Sequence, residues 1–94
     1  MSAPLRLGLA GLGSMGRNHL RVISSHPDTI LAAVADPTAE VLEAAVAQTR
    51  ARGFADPLVM IATAELDGVV VAAPTNNHSA LALAAIERGL PVLV

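Results

Sequence analysis

Apolar residues come in short blocks along this chain, and the blocks are of two kinds. Some are continuous. Leu5 to Ala10 (LRLGLA), Ile30 to Ala35 (ILAAVA) and the run Val69, Val70, Val71 inside Asp67 to Pro74 are apolar almost throughout and end at turn-forming residues. Such runs predict strands, and those without alternation predict strands buried on both faces. Other blocks are spaced. Met15 to Ser25 carries Leu20 and Ile23 three apart between polar flanks, and Thr38 to Arg52 places Val41, Leu42, Ala45, Val46 and Thr49 on one stripe. These predict helices with one buried side. Ser79 to Arg88 predicts a further helix, closed by Gly89 with Pro91 beyond it. Gly53 follows two arginines and reads as the stop of the second helix. Asp56-Pro57 reads as N-cap and first residue of a short third helix over LVMIAT. Phe54-Ala55 is at most a stub of strand, and PVLV, Pro91 to Val94, is a final one.

Strand and helix therefore alternate five times, with the last helix missing. That order predicts a parallel sheet with right-handed crossovers and helices on both faces. The expected fold class is α/β: a Rossmann-type doubly wound sheet in three layers, αβα, with strand order 3-2-1-4-5 and truncated in the fifth strand. Residues 1–94 form one domain, without repeats, low-complexity tracts or linkers.

Composition narrows the function. The 94 residues are 53% hydrophobic, rich in Ala, Val and Leu, with Phe54 the one aromatic residue. Small side chains suit helices packed closely on a sheet. Net charge is −2 and the six basic residues are scattered, so the stripe that nucleic acid requires is missing. Without cysteine there are no disulfides, thiolate nucleophiles or Cys-type zinc sites. The amino terminus has an arginine and a mildly apolar run, but Arg6 and four glycines interrupt it, against a signal peptide. No run approaches the ~20 apolar residues of a membrane span. The expected location is cytoplasmic, with no membrane partner.

The densest signal is GLAGLGSMGRNH, Gly8 to His19. Gly11, Gly13 and Gly16 form G-x-G-x-x-G between the first strand and the first helix, the context that this otherwise weak motif demands. Gly11 would make the tight turn, Gly13 would let a pyrophosphate approach the backbone, and Gly16 would let the helix pack on the sheet. The N–H groups of the first helical turn would then face phosphate, with Leu12, Ser14 and Met15 contributing backbone and packing. Asp36 ends the second strand, twenty residues after Gly16. An acid there accepts hydrogen bonds from the adenosine ribose. Asp36-Pro37 also repeats the Asp56-Pro57 capping pattern, but the order strand, loop, helix, strand, acid favours ribose. A carboxylate repels a 2′-phosphate, and no basic residue lies between Asp36 and Gln48. The expected cofactor is NAD in preference to NADP. The third candidate stretch is the turn after strand four, Ala73, Pro74, Thr75, Asn76 and His78, which topology puts across the crevice from the glycine loop. By spacing alone it reads equally as ordinary turn and cap chemistry.

GLAGLGSMGRNHLRVI, LAAVADP and LDGVVVAAPTNNHSALALAAIERGLPVLV together resemble the amino-terminal half of the glucose-fructose oxidoreductase, inositol dehydrogenase and MocA family, from Leu5 to Val94. The combination is specific, above all D-x-V-x-V-x-x-P-x-x-x-H. The resemblance implies an NAD(P)-binding domain in which the turn matching Ala73 to His78 runs along the cofactor toward the nicotinamide. Thr75, Asn76 and His78 then become cofactor contacts. FADPLVMIATAEL lacks the aromatic or acidic residues usual in that region, which puts only local structure in doubt. In the family a Glu-Lys-Pro motif follows strand five, and its lysine moves a proton near the nicotinamide. The sequence ends at Val94, ahead of that point. The substrate domain, usually also the homo-oligomer interface, is expected outside residues 1–94.

No catalytic residue is therefore expected among these residues. His78 stands nearest the right place for a general base, but no substrate pocket accompanies it, and a cap or cofactor contact is the plainer role. His19 and His26 read as helix surface and turn. The histidines lack metal-ligand spacing, so no metal is expected. The leading function is the cofactor half of an oxidoreductase that transfers hydride between NAD and a sugar, polyol or related hydroxy compound. As the parent enzyme it would act on CH–OH groups, and as this stretch alone it would be inactive. The alternatives are a stand-alone NAD-binding module without turnover, and the Rossmann domain of a related reductase acting on an amino acid or a dihydrodipicolinate-like ring. The last is disfavoured by the D-x-V-x-V-x-x-P-x-x-x-H stretch.

Overall fold

A computed structural model describes residues 4–72 and 78–93, apart from the side chains of Ser14 and Met15. Ala73, Pro74, Thr75 and Asn76 lie outside the described residues. Five strands, β1 (Leu5–Ala10), β2 (Thr29–Ala35), β3 (Arg52–Phe54), β4 (Gly68–Val71) and β5 (Val92–Leu93), alternate with helices α1 (Ser14–Ser25), α2 (Ala39–Thr49), α3 (Pro57–Thr63) and α4 (His78–Glu87). The sheet is parallel, in the order β3-β2-β1-β4-β5. This is the expected doubly wound topology, in which the jump from β3 across to β4 puts β1 at the centre.

Each face of the sheet has its own core. Leu9, Leu31, Val34 and Val70 point to one face and are covered by Leu20 and Ile23 of α1 and Ala45 of α2. Ala10, Ala33, Ala35, Val69 and Val71 point to the other, under Met60 and Ile61 of α3 and Leu81 and Ala85 of α4. Burial of apolar surface stabilises such a domain by about 25 cal/mol per Å², and here both faces of β1, β2 and β4 contribute. The register of β1 on β2 shifts between Leu7 and Gly8, where Leu31 and Ala33 become successive partners and Ala32 is extra. That one-residue bulge lets Leu31 and Val34, three apart, share a face. Close approach is built in. A Cβ on Gly8 would meet Leu66 Cδ1 at 2.7 Å.

The predicted stripe of α2 holds, since Val41, Leu42, Ala45, Val46 and Thr49 are all buried or half-buried. Its end differs from expectation. The helix stops at Thr49, and Arg50, not a glycine, takes the left-handed conformation with φ 62°. Thr49 ends the helix by bonding Ala45 O at 2.7 Å while its hydroxyl accepts Ala51 N–H at 3.2 Å. Ala51 is buried at that point, so the chain must turn inward before Gly53 is reached. Gly53 instead lies inside β3, where a Cβ would stand 2.7 Å from Val46 Cγ2. The expected stub is thus a short edge strand, beginning two residues earlier. At α4 the glycine signal works as predicted. Gly89 has φ 75°, its N–H bonds Ile86 O, and Leu90 N–H reaches back to Ala85 O, a Schellman closure.

The most exposed large apolar side chains lie on α4 and β5. Leu83 and Ile86 are 57% and 63% exposed, and Leu93 on the edge strand is 61% exposed. Expressed as these 94 residues, the chain is expected to associate as concentration rises, because open edges and apolar helix faces recruit partners; sedimentation velocity checks this, and Ile86→Glu should reduce it. Arg50→Gly is expected to raise stability by about 0.5 kcal/mol, since an L-residue in the left-handed region costs about 1–2 kcal/mol and glycine returns part of that as chain entropy. Thermal denaturation measures it.

Candidate functional site

The C-terminal ends of β1, β2 and β4 form one edge of the sheet, and the glycine loop lies along it. Gly11 leaves β1 with φ 103°, a conformation that glycine adopts without penalty. Its N–H still bonds Ala35 O of β2 at 2.8 Å, and Ala72 N–H bonds Ala10 O at 2.8 Å on the other side. Leu12 then turns its side chain into the core, where it is 2% exposed. Gly13 is the N-cap of α1, in extended conformation, and Arg17 N–H to Gly13 O, 2.8 Å, is a first turn bond of the helix.

The glycines divide their work in a way the motif alone leaves implicit. A Cβ on Gly16 would collide with the Gly11 carbonyl oxygen and lie 3.7 Å from Ala72 Cβ. Gly16 is therefore where α1 presses on the end of the sheet. Among the described residues, nothing lies within 4 Å of a Cβ built on Gly13. Lacking a side chain, Gly13 also cannot cap the helix, in contrast with α3, whose N-cap Asp56 accepts Leu58 N–H at 2.9 Å. The first N–H groups of α1 have no intrahelical partner. Together with the helix dipole they present partial positive charge at an open, glycine-lined position.

Asp36 joins this loop from β2. Its Oδ2 accepts Leu12 N–H at 2.9 Å, its Oδ1 accepts Thr38 N–H at 2.8 Å, and its own N–H bonds Phe54 O at 3.1 Å. The carboxylate is half-buried and has acceptor positions beyond these two. The capping alternative raised by Asp36-Pro37 is answered here. Asp36 makes the same bond to the second residue on that Asp56 makes, but the N-cap of α2 is Thr38. The backbone N–H of Thr38 thus helps orient the acid. The available signal was Asp-Pro at a strand end, since aspartate accepts the N–H two residues on whatever side chain stands there.

The structure brings Gly11, Leu12, Gly13, Gly16 and Asp36 together, with the backbones of Ser14 and Met15 in the first turn of α1. Leu12 can reach a ligand only through its backbone carbonyl, since its side chain is core and its N–H is held by Asp36. Ala72, at the end of β4, borders the site through Gly16. His78, half-buried, is the first residue of α4; the preceding turn residues lie outside the described ones. Among the described residues no three His, Cys, Asp or Glu side chains gather as a metal site would need, and no helix is long and apolar enough to cross a membrane.

A family model described as an oxidoreductase family with an NAD-binding Rossmann fold matches residues 5–94. The chain belongs to the Gfo/Idh/MocA family. Inositol 2-dehydrogenase 4 of Saccharopolyspora erythraea is 44% identical over 91 residues, which are 95% of this chain and 27% of that protein. A myo-inositol dehydrogenase structure from Corynebacterium glutamicum superposes with a TM-score of 0.88 at 35% identity, covering 95% of this chain and 27% of the other. The WlbA dehydrogenase of Bordetella pertussis, solved with NADH and UDP-GlcNAcA, gives 0.87 at 34% identity over 95% and 27%. The chain thus spans about a quarter of the length of these relatives and corresponds to the NAD-binding Rossmann domain of the Gfo/Idh/MocA proteins.

The two glycines predict opposite outcomes. Gly16→Ala forces backbone against side chain and is expected to cost about 1–3 kcal/mol. Gly13→Ala meets nothing among the described residues and is expected to stay within about 1 kcal/mol of the parent. Denaturant titration of both variants distinguishes them.

Proposed function

We propose that this chain is the cofactor half of an NAD-dependent oxidoreductase that moves hydride between the nicotinamide and a CH–OH group of a sugar, polyol or related compound. The observation that carries the reading is the pairing at one sheet edge of an uncapped, glycine-lined helix start with a half-buried carboxylate. The first attracts phosphate, and the second accepts hydrogen bonds from hydroxyl groups. The NAD-binding family to which the chain belongs supports the cofactor class. The inositol and UDP-sugar dehydrogenases it resembles support the substrate class.

Each residue has a distinct task in this reading. The N–H groups of the first turn of α1 bind pyrophosphate, with the open face of Gly13 permitting the approach. Gly11 and Gly16 hold loop and helix in register. The Asp36 carboxylate accepts from the adenosine ribose, and its charge disfavours a 2′-phosphate, so NAD is preferred to NADP. Pro74, Thr75, Asn76 and His78, with Ala73, line the cofactor toward the nicotinamide. When bound, the dinucleotide supplies the hydride acceptor or donor. The relatives extend well beyond the matched stretch; in this reading the corresponding part of the enzyme holds the substrate and the group that exchanges the hydroxyl proton, and the enzyme works as a homo-oligomer.

Calorimetry with NAD and NADP is the direct test. NAD is expected to bind at least tenfold more tightly, and Gly13→Val to abolish binding while leaving the fold intact. Asp36→Ala should narrow the gap between the two dinucleotides. Equal affinity of the parent chain for both would remove the ribose role of Asp36.

A further inference from the structure

Two consecutive N–H groups of the glycine loop are tied to the end of β2. Gly11 N–H is held by a backbone carbonyl, Ala35 O at 2.8 Å, which no side-chain substitution removes. Leu12 N–H is held by a side chain, Asp36 Oδ2 at 2.9 Å, across 24 residues of sequence. The carboxylate that makes this bond is itself restrained. Its other oxygen accepts Thr38 N–H at 2.8 Å, and the Asp36 backbone N–H bonds Phe54 O at 3.1 Å. Leu12 is almost wholly buried, so its N–H needs a protein acceptor and would be costly to leave without one.

We infer that Asp36 is a positioning residue for the phosphate-binding loop, acting before any ligand arrives, in addition to its proposed contact with ribose. The inference rests on the dinucleotide reading for its consequence but not for its geometry. The bond to Leu12 fixes the residue between Gly11 and Gly13, and so sets the direction in which the first N–H groups of α1 point. An ionised carboxylate has about four acceptor positions. Two serve Leu12 and Thr38, and two remain for hydroxyl groups, so ribose can bind without releasing the loop. Removing Asp36 therefore weakens binding twice, once by losing an acceptor and once by loosening the anion site. A change of cofactor preference made at position 36 alone carries that second loss with it.

Amide hydrogen exchange on the ligand-free 94-residue chain tests the geometry. In Asp36→Ala the Leu12 amide is expected to exchange roughly tenfold faster or more, the effect of one hydrogen bond to a charged acceptor, while Leu9 and Val34 in the strands keep their protection. Asp36→Ser has a short side chain with one oxygen, which can keep the local turn bond to Thr38 but not reach Leu12, and should release Leu12 in the same way. It serves if the alanine variant unfolds. Unchanged Leu12 exchange in the folded variant overturns the inference. The consequence is read with an NAD analogue that lacks the 2′- and 3′-hydroxyls of the adenosine ribose. Asp36→Ala should bind this analogue several-fold more weakly than the parent, and equal binding would mean that Asp36 acts on ribose alone. If the parent binds neither NAD nor the analogue, the dinucleotide reading falls, whereas the Leu12 amide still decides whether Asp36 holds the loop.

Discussion

The carbonyl oxygen of Gly11 lies against the Cα of Gly16, in space that any side chain would occupy. Through that contact α1 starts directly on the end of β1, and the rest of the binding edge follows from it. Because the helix begins so close to the sheet, its first N–H groups stand level with the strand ends. Because Gly11 turns at positive φ, the chain leaves β1 and enters α1 within a few residues, with only Leu12 passing into the core. The adjoining strand end at Ala72 completes the wall on the other side.

Central placement of β1 makes this edge a crevice. β2 and β4 flank it in parallel, and the helices that follow them leave on opposite faces. Two thin cores of Ala, Val, Leu and Ile hold the arrangement, and their small side chains allow the helices to sit close. Polar contacts pin the far ends. Asp67 Oδ2 accepts Arg6 N–H at 2.7 Å where β4 meets β1. Arg88 Nη1 donates to the carbonyls of Ile61 and Ala64 at the end of α3, where cationic groups are favoured. Among the charged side chains described, Asp36 is the one that bonds the glycine loop directly.

Asp36 shows how one side chain can serve a local turn and a distant loop at once. It shapes the turn into α2 as Asp56 shapes the turn into α3, yet only Asp36 has the glycine loop within reach of its second oxygen. Both aspartates precede proline, and both bond the N–H two residues on. Their difference comes from the neighbouring strand. β1 delivers Leu12 N–H to Asp36, so an ordinary turn residue becomes a support of the glycine loop.

Read as a string of residues, the chain already specified its alternating elements, the parallel order of the sheet, the three glycines and the acid at the end of β2. Those features rest on periodicity and on backbone requirements that belong to single residues or short stretches. Asp56-Pro57 and Gly89 were legible for the same reason. The left-handed end of α2 was not, because Arg50 adopts it only once Ala51 is drawn into the core. Nor was the place of Gly53, whose missing side chain answers to Val46 on a packed helix rather than to a helix end. The bulge at Ala32 depends on the register of β1, and the bond from Leu12 to Asp36 depends on two strand ends being neighbours. In each of these the deciding partner is distant in sequence and arrives only when the sheet is assembled, so the choice is made by packing and hydrogen bonding in three dimensions.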